Sequence, residues 1–385
     1  MNATERKENN PSSRDRVLML LESRKGSYVS GQEIAAELRL SRTAVWKAVK
    51  KLQNEGFNID AVTNKGYCLS VDYDVLSAEK IYAYIRELVS GKIVNVGIDE
   101  DRAFFFGTRH FNIDSLNIKT FDTIDSTNAL CMRMASEGSP GGFIAVAGSQ
   151  SRGRGRRGRT FYSPEDTGLY LSILLRPSGL SSKPAMRFTT LAAVAVSEAI
   201  EAVSGRKADI KWVNDVYIDG RKVCGILTEA SFDLEDYTLA YAVVGIGINV
   251  YEPEDGFPDI IKDVAGAISP CRKDSGPSDE DKTDPVRKNG GRNRLAAEII
   301  TRFYSYCVAE LNSQYSGNSD PGVRRYIDEY RRRCFVIGRE VDVLKAGSAP
   351  VRAYVTGIDD ECGLNVIYED GSTETLNSGE ISIRL

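Results

Sequence analysis

From residue 118 to residue 250 the apolar pattern of this chain switches repeatedly between the two-residue period of strands and the 3.6-residue period of helices, which confines the segment to helices layered on a sheet. In order it reads strand (118–124), helix (126–137), strand (143–148), a glycine- and arginine-rich loop, strand ("LYLSILLRP") and a long alanine-rich helix (184–203). Strands follow in "DIKWVNDVYIDGRKVCGILTEASF", folded on itself at an Asp219-Gly220 turn, and in "YTLAYAVVGIGINV". Such an order predicts an α+β body.

The flanks read differently. Residues 1–13 are polar and predict a disordered tail. Three short helices follow, with apolar positions at Val17, Leu20 and Leu21, then at Ile34, Ala35 and Leu38, then at Val45, Val49 and Leu52 behind a Ser41 cap and before a Gly56 stop. A hairpin turning at residues 64–66 completes a winged helix-turn-helix over 14–70. Residues 71–334 form the central domain; 91–115 carry no readable pattern, and the charged, turn-rich stretch 272–292 predicts a mobile loop. Residues 335–385 alternate apolar and polar with turns at 359–363 and 370–371, as in a small SH3-like β-barrel.

Composition excludes several kinds of chemistry. A single histidine, His110, leaves imidazole triads and histidine metal sites almost nothing to work with. The seven cysteines are odd in number and scattered without a CxxC pair, so they predict reduced thiols. No apolar run is long enough to span a membrane and the start is polar, which predicts a cytoplasmic protein without a membrane partner. Residues 1–70 hold twelve basic against eight acidic side chains while the remainder holds 38 against 46, so a basic head sits on an acidic body.

Four motifs carry the chemistry that remains. "SQSRGRGRRGRTFYSP" places Arg152, Arg154, Arg156, Arg157 and Arg159 on a glycine backbone. Arginine forks bind carboxylate or phosphate in a bidentate way, and five like charges repel, so the loop should stay disordered until an anion neutralises it. An RNA-binding or targeting patch has the same composition. In "KWVNDVYIDGRKVCGIL", Lys211, Asn214, Asp215 and Lys222 offer two ammonium groups, an amide and a carboxylate across a hairpin. Glycines in "VVGIGINV" mark a close approach of a ligand to a buried strand. In "IDSTN", Ser126, Thr127 and Asn128 either cap a helix or present polar groups to a ligand head.

Taken in this order and spacing, "IDSTN", the arginine loop, "KWVNDVYIDGRKVCGIL", "GIGIN" and the terminal "GEISIRL" resemble the biotin protein ligases, and the winged helix makes the chain similar to their bifunctional ligase/repressor type, the BirA family. The resemblance implies a biotin/lipoate-ligase-like mixed sheet in the centre. It implies that Ser126, Thr127, Asn128, Gln150, Arg154, Gly155, Arg156 and Lys222 hold biotin, with Gly225 and Gly245 at the backbone of its pocket. Arg156, Arg159, Phe161, Lys211, Asn214 and Asn249 then serve ATP and its Mg²⁺. Two positions depart from the family pattern: Phe161 replaces a tryptophan and Val213 a proline.

The implied reaction joins biotin's carboxylate to the α-phosphate of ATP and passes biotin from the adenylate to a lysine of a biotin carboxyl carrier domain. Lys222, Arg154, Arg156 and Asp215 are the catalytic candidates, Asp215 for the acceptor lysine. In the third helix Ser41, Arg42, Thr43, Trp46, Lys47 and Lys50 face away from the apolar stripe, as operator-DNA contacts would. The family also implies a homodimer when the adenylate is bound. A lipoate ligase and a non-catalytic biotin-sensing regulator are the alternatives.

Overall fold

The computed structural model describes residues 12–54, 57, 59–70, 74–90, 113–176, 184–233, 238–272, 284–316, 321–345, 349–377 and 380–382. The chain divides into two compact units, Met1–Val75 with Ser275–Gly291, and Leu76–Asp274 with Arg292–Leu385.

The first unit is a winged helix. Helices α1 (Ser13–Ser23), α2 (Gly31–Leu38) and α3 (Arg42–Asn54) precede the antiparallel pair β1 (Ile59–Val62) and β2 (Gly66–Leu69). Each helix starts on a serine whose hydroxyl accepts an otherwise orphaned backbone N–H: Ser12 from Asp15, Ser30 from Glu33 and Ser41 from Ala44. Val17, Leu21, Ile34, Val45, Val49 and Leu52 bury the shared face. The wing closes at Gly66, whose φ of +103° and contact with the Val29 carbonyl leave no room for a Cβ. The expected tail is shorter than residue 13, because Ser12 caps and Ser13 opens the first helix; residues 1–11 and the Gly56 stop lie outside the described residues.

The second unit is built on a seven-stranded mixed sheet. After α4 (Ala78–Ser90) come β3 (Asn117–Ile124), α5 (Thr127–Ser136), β4 (Phe143–Gln150), β5 (Gly168–Leu175), α6 (Pro184–Ser204), β6 (Asp209–Lys211), β7 (Asp215–Ile218), β8 (Arg221–Phe232) and β9 (Leu239–Asn249). The sheet order is β3-β4-β5-β9-β8-β7-β6, parallel only between β3 and β4, which α5 connects. Strand β5 is buried at every position, and α6 is buried over almost its whole circumference, so both read as continuous apolar runs.

The stretch expected as a mobile loop over 272–292 is structured at both ends. Strand β10 (Tyr251–Glu252) pairs in parallel with β11 (Ser269–Arg272), and α7 (Pro285–Lys288), which belongs to the first unit, starts on Asp284, whose carboxylate accepts the Val286 N–H. Val286 and Arg287 are buried, so charged composition here does not mean a solvated loop. Residues 273–283, like most of the unreadable 91–115 segment (91–112), lie outside the described residues.

Helices α8 (Gly291–Ser316) and α9 (Pro321–Arg333) lead to the small all-β module that the C-terminal alternation predicts. It is a five-stranded antiparallel sheet of β12 (Glu340–Leu344), β13 (Val351–Ile358), β14 (Leu364–Tyr368), β15 (Thr373–Leu376) and β16 (Glu380–Ser382), with β16 returning beside β12.

Candidate active site

Two rows of the sheet set the floor of a cavity of about 370 Å³. Gly225 on β8 lies opposite Gly247 on β9, and Gly245 lies opposite Ser172 on β5. The glycines were expected to make room for a ligand; here they make room for side chains of the protein. A Cβ on Gly247 would sit 2.8 Å from Phe161 Cε1 and one on Gly225 would sit 3.1 Å from Phe161 Cε2, while a Cβ on Gly245 would overlap the Asn128 side-chain carbonyl. Phe161 thus rests against two glycines, with Tyr170 edge-on at a centroid distance of 6.3 Å.

At one end of the cavity stands the N-terminus of α5. Ser126 caps it, accepting the Ala129 N–H, so the structural reading of this serine holds. The Thr127 N–H donates to Gln150 Oε1 at 2.9 Å, and Ser172 Oγ donates to Asn128 Oδ1 at 2.6 Å. Asn128 Nδ2 in turn donates to the Leu227 carbonyl at 3.3 Å and to Glu229 Oε2 at 2.9 Å. Ser126, Thr127, Asn128 and Ser172 are all buried. Buried polar groups hold their positions only when paired, and these pairs fix the side chains that face the cavity.

The arginine loop is folded, contrary to the expectation from like-charge repulsion. Gly155 donates its N–H to Arg159 O at 2.7 Å, Arg154 bridges to Thr160, and the Phe161 N–H returns to Gly153 O at 3.0 Å. A Cβ on Gly153 would meet Ser163 Oγ at 2.6 Å, and Arg157 takes a left-handed φ of +56°. Part of the repulsion is offset inside the protein, where Arg154 Nη2 lies 2.9 Å from Glu229 Oε1; Arg156 Nη1 is anchored by the neutral Asn214 Oδ1 at 3.0 Å. Glu229 has no motif around it, which is why the sequence does not announce it.

The third wall is the turn between β6 and β7. Lys211 pairs in register with Asp215; Asn214 Nδ2 donates to the Ile226 carbonyl at 3.1 Å and to Asp215 Oδ1 at 3.0 Å. Lys222 Nζ lies 2.6 Å from the same Asp215 oxygen, both groups being partly buried. The peptide before Val213 is cis. Two hydrogen bonds hold this turn from behind: the Trp212 indole N–H donates to Cys362 O at 3.0 Å, and the Tyr330 hydroxyl donates to Val213 O at 3.1 Å. Burial pushes the Cys224 thiol well above its ordinary value, although Lys222 opposes the shift, which disfavours the thiolate at this cavity-lining position.

Asn249 is turned to the segment beyond β10, its Nδ2 donating to Gly266 O at 3.0 Å. Lys222 binds the same segment through its backbone, accepting from Gly266 N and donating to Val264 O. Ile261, Val264 and Ala265 thereby complete the cavity wall, three apolar positions that sequence reasoning passed over. Every residue assigned to catalysis, biotin or ATP lines this one cavity. Among the described residues no group of three or more His, Cys, Asp or Glu side chains is placed to hold a metal ion.

In the first unit Ser41, Arg42, Thr43, Trp46, Lys47 and Lys50 are all exposed on α3, opposite buried Val45, Ala48, Val49 and Leu52. Trp46 is 51% exposed, which the core of this unit does not require.

Comparison with known proteins gives consistent matches. Residues 120–249 match the Biotin/lipoate A/B protein ligase family, 14–68 an HTH domain, and 336–384 the Biotin protein ligase C terminal domain. The bifunctional ligase/repressor BirA of Bacillus spizizenii is 37% identical over 253 residues, covering 66% of this chain and 70% of that protein. The bifunctional ligase/repressor BirA of Escherichia coli is 26% identical over 361 residues, covering 93% and 94%. The structure of the Aquifex aeolicus biotin protein ligase in complex with biotin and ATP superposes with a TM-score of 0.52 at 26% identity, covering 70% of this chain and 98% of that one. With a winged helix ahead of a ligase sheet whose motif residues meet in one cavity, and with a relative this similar over more than two thirds of its length, the chain belongs to the BirA family of bifunctional biotin protein ligase/repressors.

Proposed function

We propose that this chain is an ATP-dependent biotin protein ligase that forms biotinyl-5′-AMP from biotin and ATP, transfers biotin to a lysine of a biotin carboxyl carrier domain, and represses transcription through its winged helix with the adenylate as corepressor. The observation that supports the enzymatic part is the convergence of the arginine loop, the α5 N-terminus, the β6–β7 turn and the β8–β9 glycines on one cavity. Bringing a carboxylate to a polyphosphate sets anion against anion, so the site needs cations fixed where charge develops. Arg154, Arg156, Arg159, Lys211 and Lys222 supply them around the cavity, and Mg²⁺ carried by ATP supplies further charge neutralisation. Ser126, Thr127, Asn128 and Gln150 offer a polar end for biotin's ring, Gly225 and Gly245 its floor, and Phe161 an aromatic face for adenine, with Asn214 and Asn249 beside the nucleotide.

The direct test incubates purified protein with Mg·ATP, an apo carrier domain, and biotin or lipoate, and reads the carrier's mass. A shift with biotin is expected; no shift with biotin, or a shift only with lipoate, refutes the reading.

Asp215 is assigned to the acceptor lysine. Its carboxylate already holds one ammonium group, that of Lys222, at 2.6 Å, so the local geometry suits a second amine. Asp215→Asn is expected to slow transfer from preformed adenylate to the carrier by roughly 10²-fold in single turnover while adenylate formation is nearly preserved. Unchanged transfer would remove Asp215 from this role.

For the regulatory part, Arg42, Lys47 and Lys50 present donors to phosphates and base edges, with Ser41, Thr43 and Trp46 on the same exposed face. Lys47→Ala is expected to weaken binding to the chain's own upstream DNA and to reduce the log–log salt slope by about one, measured by gel shift across a salt series. A single winged helix reads a short half-site, so a homodimer formed with the adenylate is the expected binding species. Among the described residues no helix is long and apolar enough to cross a membrane, and the proposed site of action is the cytoplasm.

A further inference from the structure

The polar end of the cavity is built across one row of the sheet, where Ser172 on β5, Gly245 on β9 and Leu227 on β8 stand in register. The missing side chain at Gly245 lets the Asn128 amide lie across that row, since a Cβ there would overlap its Oδ1. Asn128 Nδ2 donates to the Leu227 carbonyl at 3.3 Å and to Glu229 Oε2 at 2.9 Å. The amide cannot be turned round, because its carbonyl would then face two acceptors. Ser172 Oγ, 2.6 Å from Asn128 Oδ1, therefore spends its one hydrogen on that oxygen. The same Oγ lies 2.7 Å from Thr127 Oγ1, a contact that then needs the Thr127 hydrogen. The other contact of this hydroxyl, Gln150 Oε1 at 3.2 Å, is an acceptor too. Turned to either partner, the Thr127 hydrogen is spent inside the protein.

Thr127 and Asn128 line the cavity, whereas Ser172 and Glu229 stand behind them, Ser172 with no exposed surface. We infer that Ser172 and Glu229 are positioning residues that set the direction of a hydrogen-bond chain, in which Thr127 donates to Ser172, Ser172 to Asn128, and Asn128 to Glu229. The Glu229 carboxylate, whose other oxygen lies 2.9 Å from Arg154 Nη2, ends the chain as its final acceptor. Thr127 Oγ1 is thereby left with lone pairs alone for a ligand, and the group opposite it must bring an N–H. An acceptor placed there would set lone pair against lone pair away from water, the kind of mismatch by which a buried polar site rejects a close analogue. This inference rests on the biotin ligase reading, which gives this end of the cavity to biotin's ring with its two ureido N–H donors.

Calorimetry with biotin and with its two ring-carbamate analogues, each with one ureido N–H replaced by an oxygen of nearly the same size, reads the direction of the chain. The wild type is expected to prefer biotin to one of the analogues by about tenfold or more. Ser172→Ala removes the acceptor that takes the Thr127 hydrogen, so the hydroxyl can turn to a ligand oxygen, and the preference is expected to shrink about three- to tenfold. Glu229→Leu lets the Asn128 amide reverse and is expected to move the preference in the same direction; it carries the test alone should Ser172→Ala fold poorly. The loss of the Arg154 partner in that variant cancels in the ratio, because biotin and its analogues bear the same carboxylate. Residues that only support the site would weaken all three ligands in parallel. An unchanged ratio in either folded variant, or a wild type that treats biotin and both analogues alike, overturns the inference. A wild type that binds none of the three would refute the ligase reading instead.

Discussion

Replacing Lys222 by alanine is expected to lower adenylate formation by roughly 10²–10³-fold, the scale of losing one preorganised charge aimed at a developing anion. The substitution does more than remove a cation. Asp215, 2.6 Å away and partly buried, is left facing the cavity without its ammonium partner, so the local charge changes from a neutral pair to a negative one in a cavity proposed to take two anionic substrates. Removing the stranded charge as well should restore part of the loss: Lys222→Ala combined with Asp215→Ala is expected to form adenylate roughly tenfold faster than Lys222→Ala alone. Rapid-quench measurement of adenylate in single turnover checks both numbers, and additive losses in the double variant would show that the pair is not coupled.

Gly245→Ala is the second large effect, and its origin is steric. The added methyl overlaps Asn128 Oδ1, and Asn128 has nowhere to go: Ser172, the Leu227 carbonyl and Glu229 each hold it. Either β9 moves or the amide leaves its network, and both outcomes open the polar end of the cavity. Overpacking of this kind destabilises by about 1–3 kcal/mol, and affinity for biotin is expected to fall at least tenfold, since the Asn128 and Thr127 positions are set by the same bonds. Urea unfolding and calorimetry measure the two effects separately. Gly357→Ala on β13 is the control, as no atom lies within 4 Å of its added Cβ.

Much of this was legible in the chain because the information was local. The Asp219-Gly220 turn, the Ser41 cap of α3 and the alternation in β13 and β14 are each decided by a few neighbouring residues. The motif residues were legible by resemblance. Glu229 and Ser172 were not, because each meets the motif residues only through register: Glu229 on β8 reaches Arg154 seventy-odd positions away, and one residue of slip would turn it to the other face. The glycines of "GIGIN" were read as marking the close approach of a ligand, but the atoms packed against them are those of Phe161 and Asn128, which no pattern along the strand encodes. At 284–290 the Asp-Pro start of α7 was outweighed by charge-rich composition, since a four-residue helix is too short to show a period.

The turn bearing Asn214 and Asp215 is gripped on its outer side by an indole N–H donated to Cys362 and by a hydroxyl from Tyr330. Part of the mould that shapes this turn therefore belongs to the last quarter of the chain, at Tyr330 and Cys362. Shortening the protein at its C-terminus would in this sense loosen one wall of the cavity from a distance. For anyone trimming or fusing the protein, β13 and β14, which flank Cys362, count as supports of the cavity wall rather than as a tail that can be spared.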